Sequence, residues 1–257
     1  MYESQRDQNR DMKEQKKEER TAEECLSGTA EGEAECADEC IAPASDEETD
    51  PLPETDATGI YGDALPRMKT ALGEVMERVA AFRRKEKAAR GEDPVEHCLY
   101  RIKSDESMRE KCRRKGLPET KESALGRIHD AVGIRVVCAF LDDVFAVRDD
   151  LVSMPGIEVI EEKDYIRHAK PNGYRSYHMI LRVRDIYVEV QLRTISMDTW
   201  AALEHQLRYK KVHCSEDSLI FSELKRCADE LASTDISMQT IRDMIRKEGV
   251  FREGEQP

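Results

Sequence analysis

Two acidic residues stand at positions that the sequence pattern defines well. Asp130 directly precedes the nearly continuous apolar run Ala131–Phe140 (AVGIRVVCAF), which is typical of a buried central strand, and Glu189 lies in an alternating segment further along the chain. A carboxylate that rigid backbone holds at the mouth of a strand can bind Mg²⁺, and a second carboxylate can accept a proton. The competing interpretation of Asp130 is a residue that only caps a helix or loop.

A set of cationic and hydroxyl side chains lies in the segment before this strand. Lys103, Ser107 and Lys111 are spaced four residues apart and could therefore share one helical face; a helix is expected to begin at about Ser104, a good N-cap. Three hydrogen-bond donors at that spacing can hold a chain of phosphates. The alternative is a basic helix face that only contacts water, which is the commoner cause of such a pattern.

The polar loop 163–175 (KDYIRHAKPNGYR) contains Pro and Gly and presents Lys170, Asn172 and Tyr174. With the cationic helix face and two separated acids, these residues suit phosphoryl-type transfer from a nucleotide. A metal ion and cations neutralise the phosphates, and a carboxylate accepts the proton of the attacking hydroxyl. The sequence has neither a Walker A motif nor GxGxxG, so a P-loop and a Rossmann site are not predicted. The alternative for Tyr174 is an exposed loop aromatic.

Two alternating strands are predicted after the loop, Ser176–Arg184 and Ile186–Arg193, with Arg184-Asp185 at the turn. Each strand has an apolar face and a polar face, because successive side chains point in opposite directions. The polar positions are His178, Arg182 and Arg184 in the first strand and Tyr187, Glu189, Gln191 and Arg193 in the second. Taken alone, this pattern also fits a sheet with one solvated face.

The remaining elements complete one α/β domain, in which helices pack around a mixed sheet. We predict an amphipathic helix from Leu65, whose apolar stripe reaches Phe82 and which Gly91 and Pro94 end. The other predicted elements are a short strand at Cys98–Lys103, a helix at Asp142–Val152, a strand at Ile157–Ile160 and two long helices within Thr194–Glu248. The domain is predicted to span 61–248.

Charge is distributed unevenly along the 257 residues. Residues 1–60 hold 19 of the 54 acidic residues and 6 of the 41 basic ones, so the other 197 residues hold 35 of each sign. We predict that residues 1–60 form a disordered acidic tail, because they have few large apolar side chains, and that 249–257 form a flexible C-terminus. The folded part is neutral and need not repel an anionic ligand.

Neither a membrane protein nor a secreted one is indicated by the sequence. No apolar run approaches the roughly 18 residues that span a bilayer, and the N-terminus lacks the apolar core of a secretory signal. A cytoplasmic location with no membrane partner is therefore predicted. The eight cysteines are predicted to be free thiols; Cys36 and Cys40 form a CxxxC in the tail, for which zinc binding is the less favoured alternative.

Five segments of the chain resemble one family in its own order. Four look like the synthetase domain of the RelA/SpoT family: HDAVGIRVVCAF (129–140), KPNGYRSYH (170–178), VEVQLRT (188–194) and TWAALEHQLRYK (199–210). The fifth, YRIKSDESMREKCRRK (100–115), resembles that family's ATP-binding segment. The similarity runs from about residue 65 to residue 245. It implies a nucleotidyltransferase-like synthetase domain with C-terminal helices.

The resemblance implies roles for the residues that would meet the donor nucleotide. Asp130 would ligate Mg²⁺, and Glu189 would share the metal or act as the base toward a 3′-hydroxyl. Arg101 and Arg135 would sandwich the adenine of ATP, as planar guanidinium groups can. The residues holding the ATP phosphates would be Lys103, Ser107 and Lys111.

On the acceptor side, the resemblance implies that Tyr174 stacks on guanine and that Asn172 reads the edge of the base. Lys170 and His178 would contact the phosphates of the acceptor. The other residues lining the acceptor side would be Gln191 and Arg193. All of these residues belong to the matching segments of the loop and the hairpin.

The implied activity is that of a small stand-alone alarmone synthetase. Such a GTP pyrophosphokinase uses Mg²⁺, transfers pyrophosphate from ATP to the 3′-hydroxyl of GTP or GDP, and acts in stringent-response signalling. Hydrolysis of the alarmone is not expected, since the hydrolase domain of the long members has no counterpart in the sequence. Relatives of this size form tetramers through helices, so a homotetramer is expected. No nucleic-acid partner is expected.

Two alternatives stay open. An enzyme with the same donor half could pyrophosphorylate the 3′ end of tRNA or an adenosine nucleotide, although a tRNA acceptor would call for a basic patch outside the pocket. A non-catalytic module could instead bind guanine nucleotides or single-stranded RNA through the same loop. Binding alone, however, does not require two carboxylates near phosphates.

Overall fold

The computed structural model describes residues 59–209 and 219–253. Nearly all of the predicted acidic tail lies outside the described residues, as do 254–257 of the predicted C-terminus, so both boundaries of the domain stay predictions. The described elements, in chain order, are a 3-10 turn at Gly62–Ala64, α1 Leu65–Arg90, β1 Val95–Ile102, α2 Asp105–Arg114, α3 Lys121–Gly126, β2 Val132–Cys138, α4 Leu141–Val152, β3 Ile157–Asp164, β4 Tyr177–Val183, β5 Ile186–Thr194, α5 Ile195–Tyr209 and α6 Leu219–Glu253.

Within the described residues, five strands form a mixed sheet in the order β1-β2-β5-β4-β3. β2 and β5 run parallel, and the other neighbouring pairs are antiparallel. The two-residue turn Arg184-Asp185 joins β4 to β5, and Arg184 has the left-handed φ of 58° that such tight hairpin turns require. The prediction of an α/β domain with a mixed sheet flanked by helices is confirmed.

One face of the sheet forms the hydrophobic core. Alternation places the apolar residues of the strands on this face, where α1 and α4 pack against them. Met68 and Val75 of α1, Val147 of α4, and Met179 and Val190 of the hairpin are all at most 1 % exposed. Complete burial of such side chains stabilises the fold by about 1.5–3 kcal/mol each, which fixes the sheet against the two helices.

Local sequence signals set two helix ends where they were expected. α1 ends at Arg90, because Gly91 adopts a left-handed φ of 75° and donates its N–H to the Lys87 carbonyl. α2 begins after Ser104, whose hydroxyl oxygen accepts a hydrogen bond from the Ser107 amide. Both predictions are confirmed.

Three features of the fold differ from the predictions. β1 begins at Val95, earlier than expected, and β3 continues to Asp164, into the predicted loop 163–175. The short helix α3 has no counterpart among the predicted elements. β3 is an edge strand with the charged sequence IEVIEEKD and a register shift between Val159 and Glu161, so it lacks the alternation that marks a half-buried strand.

A network of hydrogen bonds ties α4 to the β3–β4 edge. The Arg148 guanidinium donates two bonds of 2.7 Å to the Glu162 carboxylate, which also accepts one of 3.1 Å from the Tyr177 hydroxyl. The bonds from Arg148 lower the pKa of Glu162 below its ordinary value, although partial burial opposes the change. Folding therefore favours the charged form of Glu162.

Replacing Glu162 by Gln is expected to remove a pH-dependent part of the free energy of unfolding. Because the pKa of Glu162 is lowered in the folded state, its contribution to stability is present above the ordinary pKa of 4.5 and is lost as the pH falls through the lowered value. Urea denaturation from pH 7 to pH 3 should show the wild type losing its advantage over the variant.

Glu158→Gln is the control, because Glu158 lies on the same strand as Glu162 but forms an exposed ion pair with Arg182 of β4. This variant is expected to follow the wild type across the pH range. A stability difference between wild type and Glu162→Gln that stays constant from pH 7 to pH 3 would contradict the prediction.

Candidate active site on the polar face of the sheet

The polar residues at one end of the β4–β5 hairpin are buried. Gln191 and Arg193 are 0 % exposed and His178 is 4 % exposed. They share a face, because Gln191 is in register with His178 of β4 and with Arg135 of β2. The first turn of α5 lies over this face, where Asp198 binds two of its arginines. The alternative of a solvated sheet face is therefore wrong for this part of the hairpin.

Glu189 lies one row further along the same face. Its neighbour in β2 is Gly133, and the neighbour of Gly133 in β1 is Arg101. Because glycine has no side chain, no side chain of β2 stands between Glu189 and Arg101 in this row. The Glu189 side chain is 12 % exposed, and its Oε2 accepts a hydrogen bond of 3.3 Å from Gln191 Nε2. This row therefore has a residue with a carboxylate on one side of Gly133 and a residue with a guanidinium group on the other.

Asp130 precedes β2 and binds two of the predicted lysines. Its Oδ2 lies 3.0 Å from Lys103 Nζ and 2.5 Å from Lys111 Nζ. Lys103 follows β1 and lies beside Ala131, whose carbonyl accepts a hydrogen bond from the Lys103 amide. α2 brings Lys111 to the same carboxylate oxygen of Asp130. Burial disfavours the charged carboxylate, but the two ammonium groups outweigh it and lower the pKa of Asp130, while burial lowers the pKa of Lys103.

The predicted face formed by Lys103, Ser107 and Lys111 is not a single helix face, because Lys103 precedes the N-cap Ser104 and lies outside α2. Lys103 and Lys111 are each 8 % exposed, so the alternative of a basic face that only contacts water is wrong for these two residues. Ser107, the third member of the predicted set, is exposed, and its hydroxyl is bonded to that of the N-cap Ser104 at 2.9 Å. The structure therefore brings together two of the three residues predicted to hold phosphates.

One oxygen of Asp130 is available to a magnesium ion that takes most of its ligands from elsewhere, while the two lysines occupy the other. Asp130 Oδ1 is buried and has no hydrogen-bond partner among the described residues. Carboxylate oxygens are the protein ligands that Mg²⁺ prefers, usually one or two of them together with substrate phosphates and water. Within 59–209 and 219–253, no group of three or more His, Cys, Asp or Glu side chains could hold a metal ion.

Arg193 and Arg135 share one carboxylate, which α5 supplies. Asp198 Oδ1 lies 3.0 Å from Arg193 Nη1 and 3.1 Å from Arg135 Nη1, and both arginines are at most 1 % exposed. Arg193 also donates to Tyr174 Oη at 2.8 Å and to Gln191 Oε1 at 3.1 Å. The shared carboxylate therefore ties α5 to both β2 and β5. Asp198 is absent from the predicted site, because an acid in the first turn of a helix is ordinarily explained by the helix dipole.

Tyr174 is only 4 % exposed, so the alternative of an exposed loop aromatic is wrong. Its hydroxyl lies 2.7 Å from His178 Nε2, and His178 Nδ1 lies 3.9 Å from Glu189 Oε1. Burial, together with the charges of Arg193 and Lys170, lowers the pKa of His178 well below its ordinary value, so the imidazole is neutral. Because the Tyr174 hydroxyl accepts a hydrogen bond from Arg193, we assign it as the donor in its hydrogen bond to His178 Nε2. The proton of the neutral imidazole is then on Nδ1, toward Glu189.

Backbone hydrogen bonds fold residues 170–174 into a compact turn. The Lys170 amide donates to the Tyr174 carbonyl at 3.1 Å, and the Gly173 amide to the Lys170 carbonyl at 2.8 Å. Asn172 is 6 % exposed, and its Oδ1 accepts a bond of 3.1 Å from the Tyr174 amide. Lys170 Nζ lies 4.6 Å from the centroid of the Tyr165 ring. The turn fixes Asn172 and Tyr174 relative to each other.

Most of the predicted site residues fall into two clusters along β5. The Asp130 cluster consists of Asp130, Lys103 and Lys111. The Tyr174 cluster consists of Lys170, Asn172, Tyr174, His178, Gln191 and Arg193. Glu189 lies between them in the chain direction of β5. Arg101 is in register with Gly133, and Arg135 is bound to Asp198. Ser107 stands apart, at the exposed cap of α2.

Solved structures of two Bacillus subtilis proteins share this architecture. Small alarmone synthetase 2 is 34 % identical, with a TM-score of 0.62 over 71 % of this chain and 97 % of that chain. Small alarmone synthetase 1, solved bound to its product pppGpp, is 28 % identical, with a TM-score of 0.61 over 72 % of this chain and 97 % of that chain. The fold is that of an alarmone synthetase domain.

Sequence comparison leads to the same class of protein. Residues 100–213 match the region found in RelA / SpoT proteins. The GTP pyrophosphokinase YwaC of Bacillus subtilis (strain 168) is 37 % identical over 163 residues, which are 60 % of this chain and 77 % of that relative. The chain belongs to the RelA/SpoT family, and the resemblance inferred from its sequence segments is confirmed.

Proposed function

We propose that this chain is a Mg²⁺-dependent GTP pyrophosphokinase that transfers the pyrophosphate group of ATP to the 3′-hydroxyl of GTP or GDP. The products are AMP and pppGpp or ppGpp. The position of Glu189 supports this proposal best. Glu189 lies on the polar face between the Asp130 cluster, whose lysines suit a polyphosphate, and the Tyr174 cluster, which suits the guanine and phosphates of a nucleotide. The activity named for the relative YwaC and the product bound to small alarmone synthetase 1 point the same way.

On the donor side, we assign the ATP phosphates to Lys103, Lys111 and Ser107. The two lysines already converge on one buried point, and this convergence supports their role. Arg101 and Arg135 are assigned to the adenine, because planar guanidinium groups stack on aromatic rings. The place of Arg101 opposite Gly133, in the same row as Glu189, supports its part of that assignment.

On the acceptor side, we assign guanine to Tyr174 and Asn172. Lys170 Nζ lies 5.3 Å from the centroid of the Tyr174 ring, so a stacked base would take the place of this cation and release Lys170 for the acceptor phosphates. His178 would contact a phosphate as a neutral N–H donor. The other residues assigned to the acceptor side are Gln191 and Arg193.

Asp130 and Glu189 are the residues that would hold Mg²⁺. The buried Asp130 Oδ1, which has no hydrogen-bond partner in the described part of the chain, supports this assignment. When bound, the ion would neutralise phosphate charge and polarise the transferred group. Glu189 is also assigned as the base, because it borders the Tyr174 cluster through Gln191.

In the proposed reaction, the 3′-oxygen of the acceptor attacks the β-phosphorus of ATP in line with the departing AMP oxygen. A new P–O bond forms to the acceptor, the bond between the α,β-bridging oxygen and the β-phosphorus breaks, and Glu189 takes the hydroxyl proton. Little covalent chemistry is asked of the protein. Positioning by the two clusters, with the charges of the lysines and arginines, supplies most of the acceleration.

We further propose a homotetramer that acts in the cytoplasm in stringent-response signalling. Exposed apolar side chains on α5 and α6 support association through these helices: Leu203, Leu207, Ile236, Ile241, Met244 and Ile245. In the described ranges, none of the helices has the length and apolar character that a membrane span needs. Size-exclusion chromatography with light scattering measures the oligomeric state directly.

A product assay tests the proposed activity. ATP labelled in its γ-phosphate is incubated with Mg²⁺ and with GTP, GDP, an adenosine nucleotide or tRNA, and the products are separated by thin-layer chromatography. Label is expected on GTP or GDP, with an equal amount of AMP. Label only on tRNA or the adenosine nucleotide would support the alternative acceptors. Calorimetric binding of guanine nucleotide without turnover would support a non-catalytic module.

A further inference from the structure

The loop of the Tyr174 cluster rests directly on α6 at Gly173. A Cβ atom placed on Gly173 would lie 2.6 Å from the Ala228 Cβ and 3.2 Å from the Lys225 Cα, and the first of these distances is shorter than real Cβ contacts. Gly173 also has a φ of +92°, a conformation that side chains disfavour. The backbone of the loop and the surface of α6 are therefore as close as glycine allows.

A second contact fastens the same loop to the same helix turn. Arg175 Nη1 donates a hydrogen bond of 3.0 Å to the Gly173 carbonyl, and Arg175 Nη2 donates one of 2.8 Å to Asp229 Oδ1. Lys225, one turn earlier in α6, donates to Asp229 Oδ2 at 2.8 Å. Arg175 thus bridges the loop backbone to the residue that follows Ala228.

Little space surrounds this contact. A cavity of about 10 Å³ lies between the loop, α5 and α6, and Met197, Trp200 and Ala228 are among its lining residues. A space of this size holds at most about one water molecule. The Trp200 indole also donates to the Leu224 carbonyl at 2.9 Å, which fixes α5 to α6 beside the loop. A larger side chain at position 228 is therefore expected to displace the loop.

We propose that Ala228 is a positioning residue for the acceptor nucleotide. Its methyl group sets the position of Gly173 and, through it, of Asn172 and Tyr174. The link is short, because these residues adjoin Gly173 in the chain and Asn172 Oδ1 binds the Tyr174 amide across it. The inference rests on the proposed function, in which this loop meets the acceptor and the Asp130 cluster meets the donor.

Replacing Ala228 by Leu tests this inference without substituting any residue of the loop or of either cluster. The KM for GTP is expected to rise at least about tenfold, whereas the KM for ATP and the kcat at saturating GTP stay within about twofold, because the displaced loop serves only the acceptor. Cys227→Leu is the matched control: it adds apolar bulk at the neighbouring, exposed position and should leave all three constants unchanged. Circular dichroism and thermal unfolding of both variants establish that they fold.

Arg175→Met provides a second test if Ala228→Leu does not fold. It removes the bridge to Asp229 without adding bulk against α6, and a selective rise of about three- to tenfold in the KM for GTP is expected. The inference is overturned if a folded Ala228→Leu, or failing that Arg175→Met, has the KM for GTP of the control, or if the KM values for GTP and ATP rise together. An inactive wild type would instead overturn the proposed function, and with it the acceptor role of the loop.

Discussion

Replacing Glu189 by Gln is expected to lower the kcat of the ATP-plus-GTP reaction by about 10²- to 10⁴-fold, the range typical of a lost general base. Glutamine preserves the volume of the side chain and an oxygen that accepts the hydrogen bond from Gln191. It carries no charge, however, and cannot take a proton from the 3′-hydroxyl. The fold should persist, so the loss appears in product formation at saturating ATP and GTP and not in the thermal unfolding of the protein.

Glu161→Gln supplies a matched control two strands away. Glu161 in β3 and Glu189 in β5 both flank Ile180 of β4, so they belong to the same row of the sheet. The Glu161 side chain is 49 % exposed on the edge strand and pairs with Lys163, and its substitution should leave kcat within about twofold. A Glu189→Gln enzyme that keeps more than about a tenth of the wild-type kcat would show that Glu189 is not the base.

Replacing Asp198 by Ala is expected to lower the free energy of unfolding by about 3–5 kcal/mol, as the loss of one partner from a buried ion pair does. The guanidinium groups of Arg135 and Arg193 share one oxygen of this carboxylate, and both arginines are almost fully buried. Without it, two charges lose their common partner away from water. Urea denaturation at pH 7 and at equal protein concentration measures the change.

Two further variants define the origin of this effect. Asp198→Asn is expected to cost less than Asp198→Ala, because its amide oxygen still accepts hydrogen bonds. Asp149→Ala removes a carboxylate that is 70 % exposed and bound to Arg148, so its cost should stay within about 1 kcal/mol. If Asp198→Ala costs no more than Asp149→Ala, the shared carboxylate is not what holds the two arginines.

The parts of the fold that depend on residues close together in the chain could be predicted from the sequence. The apolar run after Asp130 predicts β2, which is buried at every position, because only a strand covered on both faces has that composition. Gly91 and Ser104 predict the helix ends through their own backbone and hydroxyl chemistry. The four-residue spacing from Lys103 to Lys111 predicts one helix face. Both lysines do bind Asp130, but Lys103 reaches it from before the N-cap Ser104 and not from α2.

The burial of the polar face could not be predicted from the sequence, because it depends on distant parts of the chain. The alternation that includes Gln191 and Arg193 describes a solvated face and a covered one equally well. What decides between them is α5, which begins directly after β5 and brings Asp198 back over the arginines. The contact of Gly173 with Ala228 likewise joins segments that no local pattern relates. The roles of the individual residues toward ATP and GTP stay predictions until the variants are assayed.

β5 is hydrogen-bonded along both edges, to β2 on one side and β4 on the other. Amide hydrogens in such a strand exchange with solvent through opening of the whole domain, whereas those of a loop held by a few contacts exchange through local opening. Glu189 therefore stands on a strand that is expected to open only with the sheet, and Tyr174 on a loop that is expected to open more readily. In the proposed mechanism, a change in acceptor preference can therefore arise in the loop and α6 while the carboxylate proposed as the base keeps its position.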